Sequence, residues 1–193
     1  MAHAPNPAES RWMLALAIFC LIVFLAFISG TQRDAVYGFL NNEVGVKSTI
    51  PTGPSYKVTR VVDGDTLVVN INGTEEKVRL IGINTPETVD PRKTVECFGK
   101  EATNRMKELA EGEMVRLESD DSQGVRDVYG RLLDYVYLED GQMLNRKMIA
   151  EGYAHEYTYM TPYKYQQDFR DVQNIARISA RGLWSPETCN GEK

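Results

Sequence analysis

The chain has 193 residues, 42% of them hydrophobic and 25% charged, which suits one ordinary folded domain plus something small. It carries 22 basic and 27 acidic residues, a net charge of -5. Bulk electrostatics is therefore excluded as the means of holding a polyanion; any such ligand must be met by a local cluster of cations or by a metal.

The first element is apolar. "WMLALAIFCLIVFLAFI" runs from Trp12 to Ile28 without a charge. At about 1.5 Å per residue it spans roughly 25 Å, near the lower limit for a bilayer core. It reads as an N-terminal transmembrane helix, with Trp12 at the interface. The alternative is a cleaved signal peptide, but "FISGTQRDA" offers no clean small-x-small cleavage site. Flanking charges are too few to orient the segment. Residues 31–54, with scattered Gly, Pro, Asn and Ser, read as a linker. The organisation is then an anchor over 1–30, a linker over 31–54 and a folded domain over 55–193.

The domain begins strand-rich. "YKVTRVV" (56–62) and "TLVVNI" (66–71) alternate and are rich in β-branched residues. Asn72–Gly73 is a two-residue hairpin signal, and "EEKVRLIGI" (75–83) is the return strand. In "ECFGKEATNRMKELAEG", Phe98, Ala102, Met106 and Leu109 fall at helical spacing, with Gly112 as the stop. "EMVRLES" (113–119) and "RLLDYVYLED" (131–140) are two more strands. "GQMLNRKMIAEG" is a short helix with Leu144 and Met148 facing inward. "PYKYQQDFRDVQNIARISARG" is a longer one, from Pro162 to Gly182. Five strands with a helix between the third and fourth give a β-rich α+β chain with the outline of a five-stranded OB-fold barrel and three helices.

Cys20 lies in the apolar segment. Cys97 and Cys189 lie in the folded part, where their spacing is compatible with a bridge or with two free thiols. The expectation is a Cys97–Cys189 disulfide tying the C-terminus to the start of the first helix.

Three short stretches can carry chemistry. "DGD" (Asp63–Gly64–Asp65), "RLIGINTPE" (Arg79–Glu87) and "RDVYGR" (Arg126–Arg131) each read singly as turns or strand ends. Arg79 is the odd one. Strict alternation puts it on one face with Ile81 and Ile83, and a cation turned inward needs an anion. Taken together, Asp63, Asp65, Asn84, Thr85 and Glu87 supply hard oxygen donors suited to Ca²⁺ or Mg²⁺. Arg79 and Arg131 supply planar cations that match phosphate oxygens. A carboxylate, a hard cation and two guanidinium groups are the parts that phosphoryl transfer uses.

"VVDGDTLVV", "RLIGINTPET", "DVYGR" and "GLW" (182–184) together resemble the staphylococcal nuclease (thermonuclease) family, in order and at matching spacings over about residues 56–185. The resemblance implies an OB-fold barrel with three helices and Ca²⁺-dependent cleavage of DNA and RNA. It implies Asp65, Asn84 and the Thr85 carbonyl as metal ligands, with Asp63 a nearby acid outside the metal's direct shell. Glu87 is implied as the base or water-orienting carboxylate, and Arg79 and Arg131 as the phosphate-binding cations. Tyr129 would contact the substrate phosphate, and Tyr157 and Tyr159 the nucleotide.

Two positions depart from the family pattern. Asn84 stands where an aspartate is usual, which removes a charge from the metal shell and predicts weaker binding. Val128 stands where a basic residue precedes the tyrosine. Five tyrosines fall in "GYAHEYTYMTPYKY" (Tyr153, Tyr157, Tyr159, Tyr163, Tyr165), for stacking on bases or for packing the last helix. His155 is expected at the surface. The functional expectation is a Ca²⁺-dependent nuclease held to a membrane by its N-terminal helix, or secreted, with its domain outside the cytoplasm. Its substrate would be DNA, with RNA as a second class, and it needs no obligate protein partner. The rival is a non-catalytic OB-fold module that binds nucleic acid or protein.

Overall fold

A computed structural model describes residues 50–88 and 96–192; the expected membrane segment, Cys20 and nearly all of the linker lie outside them. Three strands open the domain: β1 (Tyr56–Asp63), β2 (Thr66–Ile71) and β3 (Thr74–Leu80). They form an antiparallel meander. The hairpin between β2 and β3 turns on Asn72 and Gly73, at φ 53° and 90°, left-handed values that asparagine and glycine tolerate. Asn70 Oδ1 accepts from Gly73 N at 2.8 Å and closes it.

The expected single strand over 75–83 is broken. β3 stops at Leu80, Ile81–Gly82 turn, and β4 (Ile83–Asn84) starts a separate ladder. Gly82 causes the break. Its φ is +77°, and a Cβ there would stand 2.6 Å from the Tyr163 ring. The inferred face shared by Arg79, Ile81 and Ile83 therefore does not exist. Val78 and Leu80 enter the core, and Arg79 lies on the other side of β3.

After helix α1 (Gly99–Ala110), strands β5 (Met114–Ser119) and β6 (Leu132–Leu138) complete the barrel. The strand order is β1-β2-β3-β6-β5, closed by β1 on β5. The β3–β6 pair is parallel and the others are antiparallel. Two register shifts in β1, after Val58 and after Val61, supply the bends that closure needs. α1 presents Ala102, Met106 and Ala110, all fully buried, at one-turn spacing along one stripe.

The remaining elements are α2 (Leu144–Ala150), β7 (His155–Glu156), α3 (Gln166–Ile178) and a 3-10 turn over Gly182–Trp184. The last two divide the single helix expected from 162 to 182. Asn145, fully buried on α2, accepts from Val136 N at 2.9 Å and donates to Ile81 O at 2.9 Å. It pins the Gly82 turn to the barrel. His155 is not a surface residue: it is half-buried and meets the Trp184 ring edge-on at 4.9 Å. Cys97 and Cys189 form a disulfide with Cα atoms 5.9 Å apart. Among the described residues no helix is long and apolar enough to cross a membrane.

Candidate active site

The Asp63–Gly64–Asp65 turn joins β1 to β2. Asp63 Oδ1 accepts from Asp65 N at 3.1 Å, the self-capping that makes aspartate a turn residue. Gly64 is required by contact, since a Cβ would stand 2.7 Å from Thr85 Cγ2. The turn thus lies flat on Thr85. Asp65 Oδ2 accepts from Thr85 N at 2.9 Å and from Thr85 Oγ1 at 3.2 Å, while Oδ1 accepts from Thr66 Oγ1 at 3.1 Å. Its carboxylate is buried and oriented by these donors. Burial, and then repulsion from Asp65, push the Asp63 carboxyl up to about 7. Asp63 is therefore only partly ionised at neutral pH.

Arg79 reaches this turn from β3. Its Nη2 lies 3.1 Å from Asp65 Oδ2 and 3.4 Å from Asn84 Oδ1, while Nη1 donates to Leu80 O at 2.8 Å. The guanidinium is held on three sides by a carboxylate, an amide and a carbonyl, with only 13% of its side chain exposed. Arg131 arrives from the loop before β6. Asp127, one helical turn's spacing upstream, grips it through Nε and Nη2, each at 2.7 Å. Arg131 Nη1 contacts Thr66 Oγ1 at 3.5 Å, and the same hydroxyl donates to Asp65. Thr66 therefore joins Arg131 to the carboxylate that Arg79 meets directly. The sequence reading missed Thr66 and Asp127. An aspartate opening the Asp127–Gly130 turn was the available signal for the second.

Arg79 and Arg131 line a cleft of about 500 Å³, together with Arg126, Tyr129, Tyr157 and Tyr159. Tyr129 is 82% exposed, and the Arg131 guanidinium lies 5.5 Å from its ring centre. Tyr157 is anchored by its N–H to Gly82 O at 3.0 Å, beside the β4–β7 ladder that pairs Asn84 with His155. The five clustered tyrosines divide. Tyr157 and Tyr159 stay exposed on the cleft, whereas Tyr163 is buried against Phe169 and Tyr165 packs on the same ring. Tyr153 stacks on Phe98 at 5.4 Å.

The part of the cleft lined by Gln123 and Thr161 is latched by a residue that sequence reasoning passed over. Asp120 Oδ2 accepts from Tyr135 Oη at 2.7 Å and from Lys164 N at 2.8 Å, and its Oδ1 accepts from Ser122 N and Oγ. Gln123 Nε2 then donates to Thr161 O at 3.2 Å. The loop after β5 and the tyrosine-bearing loop are thereby joined.

Glu87 is half-buried, two residues past Thr85 across Pro86. Its Oε1 accepts from Thr88 N at 2.9 Å. Glu96, another residue missed by sequence, accepts from Glu87 N at 2.9 Å.

The donor chemistry here fits a hard divalent cation. Among the described residues no three His, Cys, Asp or Glu side chains cluster as a ready-made metal cage. The donors expected from the sequence are of mixed type: the Asp65 carboxylate, the Asn84 amide oxygen and the Thr85 carbonyl. Asp65 and Asn84 converge on one cationic nitrogen, within 3.1 and 3.4 Å, so their oxygens are spaced to share a cation. Oxygen-only donors of this kind suit Ca²⁺ or Mg²⁺.

A sequence model of the family described as "Staphylococcal nuclease homologue" matches residues 77–186. The chain is 41% identical over 131 residues to the thermonuclease of Staphylococcus hyicus, covering 68% of this chain and 76% of that protein. It is 37% identical over 172 residues to the thermonuclease of Staphylococcus intermedius, covering 89% of this chain and 95% of that protein. Endonuclease YncB of Bacillus subtilis is 39% identical over 127 residues, 65% of this chain and 59% of the relative.

Proposed function

The chain belongs to the staphylococcal nuclease family, and from that membership we propose that it is a Ca²⁺-dependent nuclease that hydrolyses phosphodiester bonds of DNA, and of RNA as a second class. The relatives named as thermonucleases and endonucleases support the nuclease reading. One observation carries it to this chain's own residues: two arginines, each positioned by a carboxylate, share the Thr66–Asp65 relay at one side of a cleft walled by exposed tyrosines.

In this reading a phosphate enters beside Arg79 and Arg131. Both guanidinium groups present N–H donors to its oxygens and favour the charge that develops as the bond to phosphorus forms. Tyr129 closes over Arg131, and Tyr157 and Tyr159 offer ring faces to the adjoining bases. Glu87 takes the proton of the attacking water, or orients it. Asp65, Asn84 and the Thr85 carbonyl would hold Ca²⁺. When bound, the ion supplies further charge neutralisation on the phosphate. Asp65 keeps its geometry through the Thr85 and Thr66 hydrogen bonds rather than by reorganising during the reaction.

We further propose that the N-terminal apolar segment anchors the chain, with the nuclease domain outside the cytoplasm. Fractionation of cells carrying the full chain, with protease access from outside, tests this; a soluble intracellular pool rejects it.

The function is tested on the full-length chain with single-stranded DNA and RNA, in calcium and in a calcium chelator. Cleavage in calcium and none in chelator is the expected result. Binding without cleavage under both conditions rejects it in favour of a binding module.

A further inference from the structure

The segment Glu96–Gly99 performs no step above, yet it is built around Glu87. Glu96 takes the Glu87 backbone from both sides: its N–H donates to Glu87 O at 2.9 Å, and its Oε2 accepts from Glu87 N at 2.9 Å. Glu87 in turn turns its own Oε1 onto Thr88 N. Thr88 is seated on α1. Its hydroxyl lies 3.4 Å from that of Thr103, which donates to Gly99 O at 3.0 Å. Gly99 permits this seat, because a Cβ would stand 2.6 Å from Thr88 Cγ2 and 3.1 Å from Glu87 O.

The brace is itself held under constraint. Phe98 has φ +66°, a left-handed backbone that a bulky side chain adopts only when its surroundings impose it. Two restraints flank it. Its ring stacks on Tyr153, and its neighbour Cys97 is bonded to Cys189, 92 residues further along the chain. Nothing else among the described residues ties the start of α1 to the C-terminal segment covalently.

We propose that Glu96, anchored by the Cys97–Cys189 disulfide, is a positioning residue that fixes Glu87 for activating or orienting the water that attacks phosphorus. The inference rests on the reading of Glu87 as the carboxylate that activates or orients that water. The cleft is built by other elements, β3, the 126–131 loop and the 157–161 loop, so loosening the brace acts on turnover rather than on binding. The bond is open to chemistry from one side. Cys97 is exposed and Cys189 buried, so a dithiol reductant attacks at the Cys97 sulfur. The exchange transfers two electrons and two protons, leaving two protein thiols and an oxidised dithiol. The Glu96 segment is then held only by α1 and the Phe98–Tyr153 stack, and activity becomes sensitive to reduction.

The test compares kcat and KM of the full-length chain on single-stranded DNA. Glu96→Ala is expected to lower kcat at least about tenfold, since small misplacements of a reacting group are costly in rate, with KM within about twofold. Glu96→Gln keeps an oxygen that accepts the Glu87 N–H and recovers most of that loss. The Cys97→Ser/Cys189→Ser variant, and the wild type after dithiol reduction, lower kcat in the same way. Adding Glu96→Ala to Glu87→Ala changes the residual rate no further, because the brace then has nothing to position. A general structural role predicts an equal drop in both backgrounds, and that result overturns the proposal. So does a Glu96→Ala enzyme with wild-type kcat. A Glu87→Ala enzyme that remains fully active overturns the nuclease mechanism itself, and the proposal with it; this outcome is distinct from the first two.

Discussion

Arg79 Nη2 is shared between Asp65 Oδ2 at 3.1 Å and Asn84 Oδ1 at 3.4 Å, so one cationic nitrogen bridges the two side chains read as metal ligands. One of the two bears a charge and the other is neutral. Asn84→Asp makes both anionic, which strengthens the local field for any cation. Calcium affinity, followed by titration of the full-length chain, is expected to rise several-fold. An affinity that is unchanged or lowered means that position 84 does not face the ion.

The arginines differ in how they are held, and both line the cleft. Arg131 is kept in register by Asp127 and touches Thr66, while Glu87 is kept by Glu96 and Thr88. Removing one group that stabilises transition-state charge commonly costs about 3–4 kcal/mol, or on the order of a hundredfold or more. Arg131→Ala and Glu87→Ala are each expected to lower kcat by at least about a hundredfold. Their circular dichroism should match the wild type's, since neither residue is in the core. Either variant with near-normal turnover removes that residue from the mechanism.

Much of the barrel was legible because its signals are local. Alternation in 56–71, the Asn72–Gly73 turn and the helical spacing of Ala102 and Met106 are properties of short windows. The site was legible as a set of residue types, but not as a geometry. Thr66 gains its role from Arg131, 65 positions away, and Asp120 from Lys164, 44 away. No window spans such pairs. The β4–β7 ladder has two residues per strand, too few to show a period, and the break that creates it depends on Gly82 meeting the Tyr163 ring. The division of the tyrosines was equally hidden. Tyr157 and Tyr159 differ from Tyr163 and Tyr165 only in what the fold lays against them.

Asp134 on β6 offers a test of stability against pH. Burial pushes its carboxyl up to about 6 from 3.8. A raised carboxyl pKa means that ionisation opposes folding. Below about pH 4 the group is protonated in both states, and the folded protein bears no penalty. As pH rises from about 4 through about 6 the penalty accumulates, and above that it levels off at up to about 3 kcal/mol. Asp134→Asn removes the titration. Its melting temperature relative to the wild type should therefore climb between pH 4 and pH 8. A difference that is flat across that range rejects burial as the cause.

An acidic chain needs a local means of holding a polyanion. Three arginines line the cleft, and each already faces a carboxylate: Arg79 with Asp65 at 3.1 Å, Arg126 with Glu76 at 2.9 Å and Arg131 with Asp127 at 2.7 Å. No lysine lines it among the described residues. Around these ion pairs lie Val128, Tyr129, Tyr159 and Met160, all well exposed. Such a surface binds bases by contact and stacking more than it attracts phosphates, so affinity for single-stranded DNA should depend weakly on salt. Val128, 86% exposed, is where a cation can be added without disturbing a core contact. Val128→Lys should tighten binding at low salt and steepen the slope of log K against log salt by about 0.7, the value for one phosphate of a single strand. Anisotropy titrations of a labelled oligonucleotide, at several salt concentrations and in chelator to suppress cleavage, measure both quantities. A variant whose slope matches the wild type's places the strand away from position 128 and sinks this route across the cleft.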